Sequence, residues 1–313
     1  MFAYIVRRIL ATIPVMAVVA LFVFSLLHLS PGDPAAIIAG DTATLADVAH
    51  IREKLGLDQP LYIQFASWVW RLLHGDLGIS IFTNLPVSQL ILQRVEPTIV
   101  LTISTLLISV LAAIPMGVVA AWTAGSWLDR AVMIFAVIGF SVPVFVLAYV
   151  LIYALAIRTD LLPVQGFVGI DQGLRPFLSH IAMPSLALAA VFTALIARMT
   201  RASMLDVLAQ DYIRTARAKG LADGKILLGH ALKNAAVPIV TIIGTAFASL
   251  IAGVVVTETV FAIPGLGRLT VDAILRRDYP IIQGIILVFS AAYVLINLLV
   301  DLSYTFLDPR IRY

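Results

Sequence analysis

The chain contains no cysteine, which excludes disulfide frameworks and thiolate-bound metal. Charge is almost as scarce. Asp, Glu, Lys and Arg make up 12% of the 313 residues, against about 25% in an average soluble domain. The net charge of +3 is too small to point to nucleic acid. Catalytic signatures are also missing. No H-E-x-x-H occurs, and His28, His50, His74, His180 and His230 are scattered without a metal-ligand spacing. No G-x-S-x-G nucleophile elbow is present. Gly220-Leu-Ala-Asp-Gly224-Lys225-Ile226 fails as a phosphate loop, which needs four residues between its glycines and Ser or Thr after the lysine. Any energy from ATP must come from another subunit, so no cofactor is expected in this chain.

What is abundant is apolar: 61% of residues are hydrophobic and the mean hydropathy is +1.02. So little polar surface cannot cover a soluble domain, and disorder requires the opposite composition. The apolar stretches are continuous rather than alternating, which points to helices and not a β-barrel. The expected fold is therefore all-α and integral to the membrane. Six stretches approach the roughly 20 residues needed to cross the bilayer: residues 9–29, 98–122, 131–157, 181–197, 237–257 and 281–302. Arg7 and Arg8 resemble the start of a signal peptide, but the apolar run is too long and no A-x-A site follows, so an uncleaved span is expected. Pro115, Pro143 and Pro238 are expected to kink or break the spans that contain them. With the N-terminus inside, the inner segments hold 12 Lys and Arg and the short outer loops hold 5, which places both termini in the cytoplasm.

Two segments look like soluble structure. Residues 30–97 form a long outer insertion with two helical patterns. Thr44-Leu-Ala-Asp47 reads as a capping box before Leu45, Val48, Ile51 and Leu55, stopped by Gly56. After Pro60, Leu61, Phe65, Trp68 and Leu72 recur on one face up to Gly75. Such helices could cap exposed helix ends, or receive something arriving from outside, with Asp47, Arg52 and Glu53 as its contacts. Residues 198–236 form the main inner loop and carry seven of the inner basic residues. A helix over Asp211-Tyr-Ile-Arg-Thr-Ala-Arg-Ala-Lys219 should end at Gly220, and a second should resume at Asp223. Its charges could be topology signals only, or could mark a protein contact.

Inside the last span Gln283, Ser290, Tyr293, Asn297 and Asp301 share one helical face. Polar residues there either bond to a neighbouring helix or line an aqueous path. In the fifth span Gly244, Ala248 and Ala252 form a ridge of small residues suited to close packing, or to a moving gate.

Taken in order, several motifs resemble the permease subunits of dipeptide/oligopeptide-type ABC importers. They are Arg7-Arg8, Ser30-Pro-Gly-Asp-Pro34, Leu55-Gly-Leu-Asp-Gln-Pro60, His74-Gly-Asp-Leu-Gly78 and Asp211-Tyr-Ile-Arg-Thr-Ala-Arg-Ala-Lys-Gly220. Further on come Pro264-Gly-Leu-Gly-Arg268, Arg277-Asp-Tyr-Pro280 and Leu307-Asp-Pro-Arg310. The resemblance covers essentially the whole chain and is to the member of the permease pair with the large first outer loop. It implies six transmembrane helices in the type I ABC importer permease fold, with a helical extracytoplasmic insertion. The importers' general cytoplasmic signature (Glu-Ala-Ala, three residues, Gly, nine residues, Ile-x-Leu-Pro) is matched only at Ala216, Gly220 and Leu232.

The resemblance further implies that the inner loop is a coupling element. It would contact the ATPase through Asp211, Tyr212, Arg214, Thr215, Ala216, Arg217, Gly220 and Leu232. Ser290, Tyr293, Asn297 and Asp301 would face the translocation path. The implied partners are a homologous second permease, two ATPase subunits that bind ATP and Mg, a solute-binding protein outside, and the lipid bilayer of a bacterial or archaeal inner membrane. Dipeptides, longer peptides, glutathione and nickel chelates are all substrates within such a family. An ion-driven secondary transporter acting alone is the main rival; it would usually show internal repeats, and none is apparent. An intramembrane enzyme and a structural scaffold are the others.

Overall fold

The structure, a computed structural model, describes residues 2–29, 35–36, 44–54 and 56–307. The motif at 30–34, Leu55 and the C-terminal stretch 308–313 lie outside the described residues, and so do the side chains of Asp47 and Ala252. In chain order the helices are α1 (Phe2–Leu29), α2 (Leu45–Lys54), α3 (Leu61–Leu73), α4 (Val87–Trp122), α5 (Trp127–Ser141), α6 (Val144–Leu151), α7 (Leu174–Leu208), α8 (Asp211–Ala218), α9 (Leu232–Val260), α10 (Leu266–Arg276) and α11 (Tyr279–Leu307). Among the described residues there is no strand, only an isolated bridge between Ile79 and Pro86.

Five helices are long and apolar enough to cross a membrane, and a bent pair makes up to six. Several outrun the expected spans. The helix α4 has 36 residues, or about 54 Å at 1.5 Å per residue, well beyond about 30 Å of hydrocarbon. Hydropathy marks only the part of a helix that needs lipid. The third expected span differs in kind: it is α5 and α6, meeting at an angle of 102°. Pro143 lacks an N–H and its ring pushes Val142 out of helical geometry (φ −82°, ψ 122°). Beyond α6 the chain continues as a π-helical turn over Ile152–Ile157.

The chain divides into two compact units, Met1–Arg94 with Leu269–Val294, and Val95–Arg268 with Leu295–Tyr313. In the first, α2 begins as its capping pattern suggests, with the Val48 N–H donating to the Thr44 carbonyl at 3.1 Å. The helix α3 lies against the end of α1: Phe65 meets the Phe24 ring edge-on at 5.2 Å, and Trp68 sits 5.9 Å from it. Gly75 (φ +80°) closes α3, its N–H donating to Leu72 O while Asp76 N donates to Arg71 O. That paired closure needs a left-handed residue, hence glycine. Two of the motifs meet in this unit. Ser80, two residues past Gly78, donates through Oγ to Asp278 Oδ2 at 2.6 Å, with both side chains buried. Gln283 also turns inward, its Nε2 donating to Val23 O at 3.2 Å.

The second unit is built around α7. Two thirds (67%) of its most apolar window is buried, against 28% or less in each of the other four long helices. Its neighbours approach through glycines. A Cβ on Gly117 of α4 would lie 2.7 Å from the Ala197 carbonyl oxygen, and one on Gly139 of α5 3.0 Å from Ala194 Cβ. One on Gly253 of α9 would lie 2.8 Å from Leu188 Cδ1. Serines add polar links, Ser104 Oγ to Ser185 Oγ at 2.6 Å and Ser109 Oγ donating to Ala189 O at 3.3 Å. On the expected ridge of α9, Gly244 is indeed a close-packing point, and a side chain there would collide with Val300.

Two buried carboxylates are fully engaged. Glu258 Oε1 accepts from Thr98 Oγ1 at 2.6 Å and Oε2 from the Arg268 N–H at 2.9 Å, while Thr98 Oγ1 accepts from the Leu266 N–H at 2.8 Å. Thus Glu258 and Thr98 cap the start of α10 within the Pro264–Arg268 motif, supplying acceptors that the first turn lacks. Asp129 accepts from Arg201 through both oxygens, Arg201 Nη2 to Oδ2 at 2.8 Å, and from the Gly125 N–H at 2.9 Å. Arg201, one of the basic residues counted above in residues 198–236, is therefore a tertiary anchor.

Gly117→Ala should destabilise by about 1–3 kcal/mol, because the obstructing atoms are the Thr200 Cβ and the Ala197 carbonyl oxygen, neither at the free end of a flexible side chain. Gly253→Ala should cost less, because the end of Leu188 can move. Thermal denaturation of the detergent-solubilised protein should rank them so. Arg201→Ala should cost about 3 kcal/mol or more by stranding the Asp129 carboxylate, and Asp129→Asn in the same chain should restore part of the lost denaturation temperature.

Candidate functional site

Between α7 and α9 the chain makes a compact element with no span of its own. The helix α7 stops at Leu208, Gln210 precedes α8, and α8 ends in a left-handed closure at Gly220 (φ +75°). Gly220 N donates to Arg217 O at 2.9 Å and Leu221 N to Ala216 O at 3.3 Å. Leu221 and Ala216 both pack on the cluster below, the apolar contact that accompanies this closure. The chain then passes through Asp223–Lys225 and a π-helical turn, Ile226–Ala231, directly into α9.

One side chain seats α8 on the long helices. Ile213 is completely buried among Met204 of α7, Val118 and Ala121 of α4, Ile226 and Ala231 of the π turn, and Ala235 and Ile239 of α9. Burying an isoleucine of this kind contributes about 1.5–3 kcal/mol. The expected contact residues divide by face. Asp211, Tyr212, Arg214, Thr215, Arg217 and Gly220 are exposed. Ala216 and Leu232 are half-buried against the cluster and hold the element in place. Arg214 Nη1 lies 3.3 Å from Asp211 Oδ1, an exposed pair of little energetic weight. Tyr212 OH accepts from Asn234 Nδ2 at 3.0 Å, and the Arg217 guanidinium stands 5.5 Å from the centre of the Trp122 ring. These two contacts orient exposed side chains without burying them. Ile213, Asn234 and Trp122 escaped the sequence reading. The first was visible as the lone branched aliphatic residue in the octet Asp211–Ala218, whereas the other two are brought in by tertiary structure. Leu228, 66% exposed on the π turn, adds an apolar contact.

The remaining expected sites stand as follows. On α11, Tyr293 and Asn297 are exposed while Ser290 and Asp301 are half-buried, so the stripe is partly open along one continuous helix. Near its end Tyr304 OH meets Thr241 Oγ1 at 2.8 Å. On α2, Arg52 and Glu53 are exposed. Among the described residues no cluster of His, Cys, Asp and Glu could hold a metal.

A rigid two-helix unit, seated by one buried residue and continuous with two long helices, can transmit a displacement. It has no groups arranged for bond chemistry. Comparison with known proteins agrees with a transport role. Residues 113–313 match the family described as binding-protein-dependent transport system inner membrane component, and residues 1–102 match its N-terminal counterpart. A Sinorhizobium fredii protein named "Probable peptide ABC transporter permease protein y4tP" is 56% identical over 99% of both chains. The glutathione transport system permease protein GsiC of Salmonella typhi is 44% identical over the full length of both. A solved structure of the MetNI methionine ABC transporter in inward-facing conformations aligns with 70% of this chain and 97% of its own, at a TM-score of 0.59 and 18% identity, a likeness of fold. The chain belongs to the binding-protein-dependent transport system inner membrane components and is a multi-pass inner-membrane permease subunit of an ABC importer.

Proposed function

We propose that the chain forms half of the translocation pore of an ATP-driven peptide importer and takes its power stroke through α8. The observation that carries this reading is the seating of α8. Its exposed face presents Tyr212, Arg214 and Arg217, and its buried Ile213 ties that face to α4, α7 and α9. Closure of two ATPase subunits on ATP would move α8, and the long helices would follow. The pore would shift between outward- and inward-open states because the ATP-closed partner prefers one of them. ATP and Mg would bind only to those partners, and a homologous second permease would complete the pore. Both termini would lie in the cytoplasm, as the basic residues suggest.

The relatives named for peptide and glutathione transport support a peptide substrate. The insertion over residues 30–97 would receive the solute-binding protein through Asp47, Arg52 and Glu53, while Ser290, Tyr293, Asn297 and Asp301 would border the path.

Gly220→Val places a β-branched residue in left-handed backbone, at a strain of about 1–3 kcal/mol. Reconstituted with its partners, this variant should lose most ATP-driven peptide uptake and ATPase association. Unchanged uptake would remove α8 from the coupling role. Deleting residues 44–56 should abolish stimulation of ATP hydrolysis by the binding protein and leave basal hydrolysis intact; stimulation surviving the deletion would refute the docking assignment.

A further inference from the structure

The first unit contains a cavity of about 350 Å³ beside the C-terminal end of α1, within the range of small-molecule sites, about 300–1,000 Å³. A second cavity of about 310 Å³ adjoins it, and the two share Leu27, Leu57, Trp68, Arg71 and Gln283. Charges of opposite sign stand at its wall. Arg71 comes from the last turn of α3, and its guanidinium bonds to no described residue. Glu53 comes from the end of α2, and its carboxylate is equally without a described partner. The two do not pair with each other. Trp68, Leu27 and Leu57 line the same cavity.

A cavity whose wall carries one unpaired cation, one unpaired anion and an aromatic face suits a molecule carrying the complementary set. Guanidinium binds a carboxylate in bidentate fashion. Glu53 accepts from an ammonium, and the indole covers an apolar side chain. We propose that this cavity is a binding site for a short zwitterionic peptide, its α-carboxylate on Arg71, its α-ammonium on Glu53 and an apolar side chain on Trp68. The inference rests on the peptide-importer reading for its biological sense, and it adds to the permease a peptide site of its own in the first unit.

The test uses the full chain in lipid nanodiscs and the dipeptide Ala-Phe, followed by calorimetry and tryptophan fluorescence. Wild-type protein should bind Ala-Phe saturably, and N-acetyl-Ala-Phe and Ala-Phe-amide each at least about tenfold more weakly, the weight of one charge-assisted hydrogen bond. Arg71→Gln should erase the preference for the free carboxylate and keep that for the free amine, and Glu53→Gln should do the reverse. Both side chains are exposed, so neither exchange threatens folding. Trp68→Phe should keep binding and lose the fluorescence change. Absence of saturable binding, or binding that neither charge substitution alters, overturns the site. Phenylalanine binding as tightly as Ala-Phe overturns the peptide assignment. ATP-driven uptake by the assembled importer is measured separately. Binding without peptide uptake refutes the importer reading and leaves the site standing, whereas uptake without binding refutes the site alone.

Discussion

Close approach to the helix Leu174–Leu208 is the constraint on which the second unit depends. Lipid tails are as apolar as leucine, so helices in a membrane gain little by hiding apolar faces from lipid and are held by dispersion contacts at short range. Gly117, Gly139 and Gly253 bring three different helices against the same partner, and each removes a Cβ that would otherwise hold the backbones apart. Everything that couples to this helix inherits its rigidity. The short helix Asp211–Ala218 follows it directly in sequence and plugs Ile213 into a cluster that includes Met204 of its final turns. The exposed face of that helix is therefore tied through Ile213 to packed helices.

Glu258, Thr98 and Asp129 follow a second rule, that a buried donor or acceptor is satisfied where it stands, whereas Thr105 Oγ1, Thr200 Oγ1 and Asp278 Oδ1 are buried without a hydrogen-bond partner among the described residues. Glu258 and Thr98 provide the acceptors for the first turn of the helix Leu266–Arg276, and glycines at 265 and 267 leave room for that carboxylate. Asp129 binds Arg201 in a fork and holds the backbone of Gly125. Both arrangements are internal and structural. The charges at the cavity in the first unit are of another kind, because Arg71 and Glu53 are left open beside an aromatic wall. Ligand contact in the first unit would thus fall to side chains that the fold positions and leaves open.

Much of this was legible in the residues. The apolar runs located the long helices, Gly220 marked the end of the helix Asp211–Ala218, and Thr44 marked the start of the helix Leu45–Lys54. These features are local, set by hydropathy over a turn or two and by the backbone freedom of one residue. The sharp break before Pro143 was anticipated as a kink, but its 102° bend was not, since proline dictates the loss of a hydrogen bond and neighbours dictate where the chain goes next. Helix lengths were underestimated because a helix persists into water wherever propensity and caps allow. The close contact expected at Gly244 was found, while the three glycines facing the central helix were missed. A glycine in an apolar run looks the same whether it touches a neighbour or lipid.

Sequence by itself determined the environment of the protein, the order of its apolar stretches and the position of the short helix Asp211–Ala218. Those follow from transfer energies and backbone preferences that act within a few residues. Tertiary structure decided which residues meet. Ser80 with Asp278, Thr98 with Glu258, Asp129 with Arg201 and Tyr212 with Asn234 lie 198, 160, 72 and 22 residues apart. No periodicity links such positions, and their pairing arises only when packed helices bring two polar groups within reach, buried in the first two pairs, half-buried in the third and exposed in the last.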